Sequence, residues 1–213
     1  INMVNSTVLA PSQDTQLSMQ RDAAELLYKN GFAGILISAV VSFVLVFGFE
    51  NTALTRFKYI WLCLISMVLF LRMLDVFHWH KYVLGTEYNG TKAIHRFISG
   101  TLITAVLWSV YAATMYSNME TIELACMVVI VSAMAGGSAT VLAAHRITAM
   151  VYVFTLLTPF SLGMLVSELH HLNILGGLGL LFSIVMMVAS KKAADFTTQA
   201  IHLKHDNLAL VNH

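Results

Sequence analysis

Arg72 stands inside an apolar run, in "LFLRMLDVF", with Asp75 three residues further on. A guanidinium in a membrane-spanning stretch is costly, so it marks either a snorkelling residue paired along its own helix face or a contact to a ligand or switch within the bundle. The expected arrangement is Arg72 paired with Asp75, with a ligand-binding or switching role as the alternative. A second candidate is a pocket made by Gly136, Gly137 and Ser138 with Pro159, Trp108 and Tyr111. Proline inside a helix releases a backbone carbonyl, small residues leave room beside it, and a hydrophobic or amphipathic small molecule would suit the result. Soft donors form a third group: Cys63, Met115, Met119, Cys126, Met127, His170 and His171 all fall near one end of the apolar runs. Thiol, thioether and imidazole together fit copper or zinc, although none of these residues has a strict ligand spacing.

What must position these side chains is a membrane bundle. Of the 213 residues 58% are hydrophobic and 11% charged, with two prolines and a net charge of +1, a composition outside that of water-soluble domains. Scattered Lys and Arg argue against nucleic acid as a partner. Both cysteines lie in apolar runs, where each is expected to act as a small buried hydrophobe. Six runs are long enough to cross a bilayer at 1.5 Å rise per residue: Gly31–Phe49, Tyr59–Phe77, Phe97–Tyr116, Ile122–Ala143, Ile147–Ser167 and Leu172–Ser190. The expected fold is an all-α, six-helix transmembrane bundle. Residues 1–30 precede it as a cytoplasmic segment, with a short amphipathic helix capped by Ser18 that lays Ala24, Leu27 and Tyr28 on the headgroups. Residues 191–213 follow it.

Lys and Arg outside the spans set the orientation. With the N-terminus inside, Arg21, Lys29, Lys81, Lys92, Arg96, Arg146, Lys191, Lys192 and Lys204 are cytoplasmic, against Arg56 and Lys58 outside. Both termini are therefore expected in the cytoplasm. The histidines His78, His80, His95 and His145 then lie at the inner interface, with Trp79 as an interfacial anchor. Ser132, Gly136, Thr140 and Ala144 recur every four residues, as do small residues that bring membrane helices together, and Gly176, Gly177 and Gly179 do the same for the sixth span.

In the closing stretch Ala193, Phe196, Ala200, Leu203, Asn207 and Leu210 are spaced 3, 4, 3, 4, 3, the rhythm of a coiled-coil seam, with Asn207 at a position that favours a parallel pair. A second seam, Thr197, Ile201, Lys204, Leu208 and Val211, overlaps it by one residue. Two heptads are too short to stand alone, so the segment reads as the beginning of a longer dimeric linker, with an amphipathic tail on the membrane as the alternative.

The stretches "LFLRMLDVFHWHKY", "HRFISGTLITAVLWSVYAA", "AMAGGSATVLAAHRITAMVYVFTLLTPFSLGML" and "LKHDNLALVNH" together resemble the MASE-type integral-membrane sensory domains of bacterial signalling proteins. The resemblance implies an input domain in the bacterial inner membrane, a homodimer, and a cytoplasmic output domain in cis, a GGDEF diguanylate cyclase or EAL phosphodiesterase first and a histidine kinase second. No GGDEF, EAL or phosphoacceptor motif occurs in these residues, and no catalytic residue or resident cofactor is expected in them, an unidentified small ligand or metal aside. "GGSA" resembles the G-x-S-G of rhomboid proteases, but the spans hold no central His to activate the serine. H-E-x-x-H and mid-depth His pairs, which a metalloprotease or a haem bundle would need, are missing as well. A small membrane transporter is the remaining alternative, against which stand the lack of mid-depth charge, Arg72 lying near the inner end of its span, and of a repeat between the halves.

Overall fold

The computed structural model describes residues 13–83 and 88–211. It is all-helical among the described residues, and six helices are long and apolar enough to cross a membrane: α1 (Gln13–Phe47), α2 (Thr55–His78), α3 (Gly90–Met115), α4 (Thr121–Val141), α5 (Arg146–Leu165) and α6 (His170–Val211). A π-helical turn, Trp79–Val83, prolongs α2, and a 3₁₀ turn, Tyr116–Asn118, follows α3. The chain is thus a multi-pass membrane protein, with α3, α5 and α1 supplying most of the core and α6 leaning chiefly on α5, with further contacts to α4 and α1.

The N-terminal segment differs from expectation. Ser18 does not cap a short helix: α1 already runs at Gln13 and crosses Gly31 without a break. Ala24, Leu27 and Tyr28 are fully buried and do not lie on headgroups. The Tyr28 ring stacks on Trp79, centroids 4.8 Å apart, and its hydroxyl donates to Asp75 at 2.8 Å. Trp79, read as an interfacial anchor, is therefore a core residue with no exposure. The polar tip of Tyr28 is satisfied in the core because Asp75 of α2 and Arg96 of α3 both bond its hydroxyl.

Two polar knots hold the ends of the bundle. At one end Asp75 pairs with Arg96 at 2.5 Å, Arg21 donates to the Tyr88 carbonyl, and Lys204 meets Asp22 at 2.7 Å, so that the start of α1 and the end of α6 lie side by side. At the other end Leu54 turns the chain with φ 49° and lets α2 begin beneath Asn51. Lys58, expected in an outer loop, is in the first turn of α2 and only 2% exposed, paired at 3.1 Å with Glu123, which is fully buried. Asn51 donates to Glu123 at 2.6 Å and to the Asn118 carbonyl, and Lys58 donates to the Asn51 carbonyl. Glu123 lies in the first turn of α4, where the helix dipole favours a negative charge.

Glycine spacing works at one of its two expected places. On α6 a Cβ at Gly176 would come within 2.6 Å of the Ser161 carbonyl oxygen and 2.7 Å of Leu165 Cα, so α5 and α6 touch backbone to backbone there. On α4 the stripe does no such work: a Cβ at Gly136 or Gly137 would meet nothing within 4 Å.

Between α4 and α5 the N-cap is His145, whose side chain accepts from the Thr148 amide. Burial, reinforced by the nearby His95, holds the imidazole below its ordinary value of 6.5. A folded-state value lowered this way means that the opened state takes up the proton first as pH falls, so stability declines from about pH 6.5 downward and is complete above it. Thermal unfolding followed between pH 8 and 5 should show that decline. His145→Asn, which keeps a cap without an imidazole, should flatten it; an unchanged slope would remove His145 as its source.

Candidate functional site

A cavity of about 440 Å³ lies between α1 and α4 and reaches in to α2, α3 and α5. Its lining is mostly apolar with a polar floor: Arg72 from α2, Thr101 and Thr104 from α3, Ser38 from α1, Ser138 from α4 and Tyr152 from α5. Gly137 and Thr140, both exposed, line its outer part, and Ile37 (57% exposed) and Val129 (66%) flank its mouth. In a bilayer that mouth opens sideways to the acyl chains. The volume falls in the range of about 300–1,000 Å³ typical of small-molecule pockets.

Arg72 reaches this floor because Gly100 lets it pass. A Cβ at Gly100 would be 3.0 Å from Arg72 Cγ and 3.2 Å from Cδ, so any larger residue on α3 would obstruct the stem. Beyond it the guanidinium crosses the Phe97 ring, 5.7 Å from its centroid, and donates to Thr104 Oγ1 at 3.0 Å and Thr101 Oγ1 at 2.8 Å. Both hydroxyls in turn donate to carbonyls of their own helix, Gly100 and Phe97. The expected Arg72–Asp75 pair does not form: Asp75 is taken by Tyr28 and Arg96, and among the described residues no carboxylate bonds Arg72. The i,i+3 threonines of α3 match the fork of the guanidinium better than a carboxylate on its own helix.

No protein-family model matches this sequence, and no curated protein or solved structure matches it.

Of the pocket expected around Gly136, Gly137, Ser138, Pro159, Trp108 and Tyr111, the structure keeps Gly137 and Ser138. Pro159 is exposed on α5 and does not line the cavity. Trp108 is buried behind the wall and donates to Ser38 Oγ at 2.9 Å, bracing that side chain. Tyr111 belongs to an aromatic stack with Trp61 and Phe57, centroids at 4.1 and 6.1 Å, nearer the Lys58–Glu123 end. Gly136 is half-buried beside the pocket without lining it.

The soft donors do not share one environment. Met115 and Met127 are wholly in the core and Met119 packs against it, whereas Cys63 is exposed, Cys126 half-buried, and His170 and His171 exposed at the start of α6. Among the described residues no three His, Cys, Asp or Glu side chains gather as a metal site.

Sequence reasoning missed Ser38, Thr101, Thr104 and Tyr152, which look like unremarkable members of apolar runs. The spacing of Thr101 and Thr104 was the available signal, since two hydroxyls three apart on one helix can serve a single guanidinium. It also missed Lys58 and Glu123 as partners, because each lies at the edge of its run, where charge is unexceptional. Their pair lies in the first turns of α2 and α4, at the end of the bundle and not at mid-span.

α6 decides between the two C-terminal seams. Thr197 and Ile201 are half-covered and Lys204 is tied to Asp22, so the second seam faces α1 of the same chain. Phe196 (72% exposed), Ala200, Leu203 (62%) and Asn207 are left facing outward. The side chain of Leu210 lies outside the described residues.

Proposed function

We propose that this chain is the membrane-embedded input domain of a bacterial signalling protein, acting as a parallel dimer with both termini in the cytoplasm of the inner membrane. In this reading α6 passes a rotation or register change to a cytoplasmic output domain in cis, a diguanylate cyclase or phosphodiesterase first and a histidine kinase second. The observation that carries the proposal is α6 itself. It runs 42 residues unbroken from the α5 interface to Val211, and beyond the bilayer it turns one apolar seam to its own α1 and the other outward. A helix that is rigid along its length transmits displacement, and an outward seam spaced 3, 4, 3, 4 is what a twin helix covers. The resemblance to MASE-type domains points the same way. A stimulus would act by favouring one of two bundle packings, to the extent that it binds them differently.

Single cysteines test the dimer and reporter fusions test the topology. Cysteine at Leu203 or Asn207 should crosslink between subunits, and cysteine at Ile201, covered by α1, should not; equal yields would end the dimer reading. Fusions at Asn118 and His213 should report opposite sides of the membrane, and the same side for both would overturn the orientation.

A small membrane transporter is the second reading, favoured by the half-buried Arg72 in a polar-floored cavity. It requires a solute path to both membrane faces, and flux into liposomes holding the purified chain would establish it.

A further inference from the structure

We infer that the cavity between α1 and α4 is a binding site for an anionic single-chain amphiphile, with a carboxylate or phosphate oxyanion seated on Arg72 and the acyl chain leaving through the lateral mouth. A half-buried guanidinium within an apolar bundle needs compensation for its charge, and the hydroxyls of Thr101 and Thr104 supply dipoles but no negative charge. The nearest acid along its own helix, Asp75, is already engaged by Tyr28 and Arg96. Arginine carries five N–H donors in a planar fork. Two are bonded, one on each terminal nitrogen, which leaves three for an occupant, enough for the two parallel bonds by which arginine grips an oxyanion. The hydroxyls of Ser38 and Tyr152 line the same floor and can donate to complete the shell, whereas that of Ser138 donates to the Ala135 carbonyl.

The route of entry selects the chemistry. A free aqueous anion would have to cross hydrocarbon to reach a mouth flanked by Ile37 and Val129, whereas a lipid-borne headgroup arrives by lateral diffusion with its chain already solvated. The cavity has room for a headgroup and part of one chain, with the remainder staying among the lipids. The inference does not depend on signalling, since a bundle without any output would bind in the same way.

The test uses the purified chain in phosphatidylcholine nanodiscs. Dibromostearate is titrated against its uncharged alcohol, and quenching of tryptophan is read, Trp108 standing directly behind Ser38. The acid should be preferred over the alcohol by about tenfold or more, the worth of a charge-assisted bond, and Arg72→Gln should abolish that preference. Lysophosphatidate should displace the acid, while inorganic phosphate should not. Equal quenching by acid and alcohol, or displacement by inorganic phosphate, would overturn the proposal. If Arg72→Gln does not fold, Gly137→Phe decides instead. It leaves Arg72 in place and fills a position where a Cβ meets nothing within 4 Å; loss of acid binding supports the site, and unchanged binding overturns it.

Discussion

Glu123→Gln is expected to destabilise the bundle by about 3–5 kcal/mol, the cost of leaving one member of a buried ion pair without its partner. Gln has the size of Glu and can still accept from Lys58, so packing is preserved and only the charge is lost. Lys58, 2% exposed, would then keep a full positive charge inside the protein with only neutral oxygens, the Asn51 carbonyl and the new side-chain amide, to accept from it. Lys58→Met should cost a similar amount by stranding the carboxylate. The double variant Lys58→Met with Glu123→Leu removes both charges and should come within about 1 kcal/mol of the parent, since replacing a whole buried pair by apolar residues is often neutral or favourable. Titration with SDS in mixed micelles, followed by tryptophan fluorescence, measures all three. A single variant as stable as the parent would mean that water reaches the pair.

Gly176→Ala should cost about 3 kcal/mol, a large effect for a single added methyl. The new Cβ would come against the Ser161 carbonyl oxygen and the backbone at Leu165, and backbone cannot step aside as a side-chain end does. α5 and α6 would have to separate along the closest contact that α6 makes. Gly177→Ala, one residue along, meets only Leu165 Cδ1 at 3.9 Å. It should be neutral or stabilising by up to about 1 kcal/mol, through the helix propensity of alanine over glycine. The same SDS titration compares them. Equal effects of the two would show that helix contact is not what Gly176 provides.

Much of this architecture was legible along the chain. Each of the six apolar runs predicted a crossing helix, and six such helices are present, because burial of about twenty apolar residues is a property of one segment and needs no partner. The continuous sixth helix was legible for the same reason: no breaker separates Leu172 from Val211. Gly176 could be singled out as a small residue, though not distinguished from Gly177, since a rotation of 100° about the axis decides which one meets α5.

The partners lay beyond reach. Asp75 three residues from Arg72 is the obvious local match, yet Asp75 belongs to Tyr28 and Arg96 and Arg72 belongs to Thr101 and Thr104. Pro159 and Gly137 suggested one pocket, but the rotation of α5 points the proline outward. Of two overlapping seams on the last helix, the salt bridge from Lys204 to Asp22, 182 residues apart, chose which faces inward. Sequence alone determined that helices form, where they cross and which residues are too polar to face lipid without a partner, because these follow from composition within a single segment. Tertiary structure decided which partner each polar group found and where the cavity opened, because those depend on the order and rotation of helices that meet only after folding.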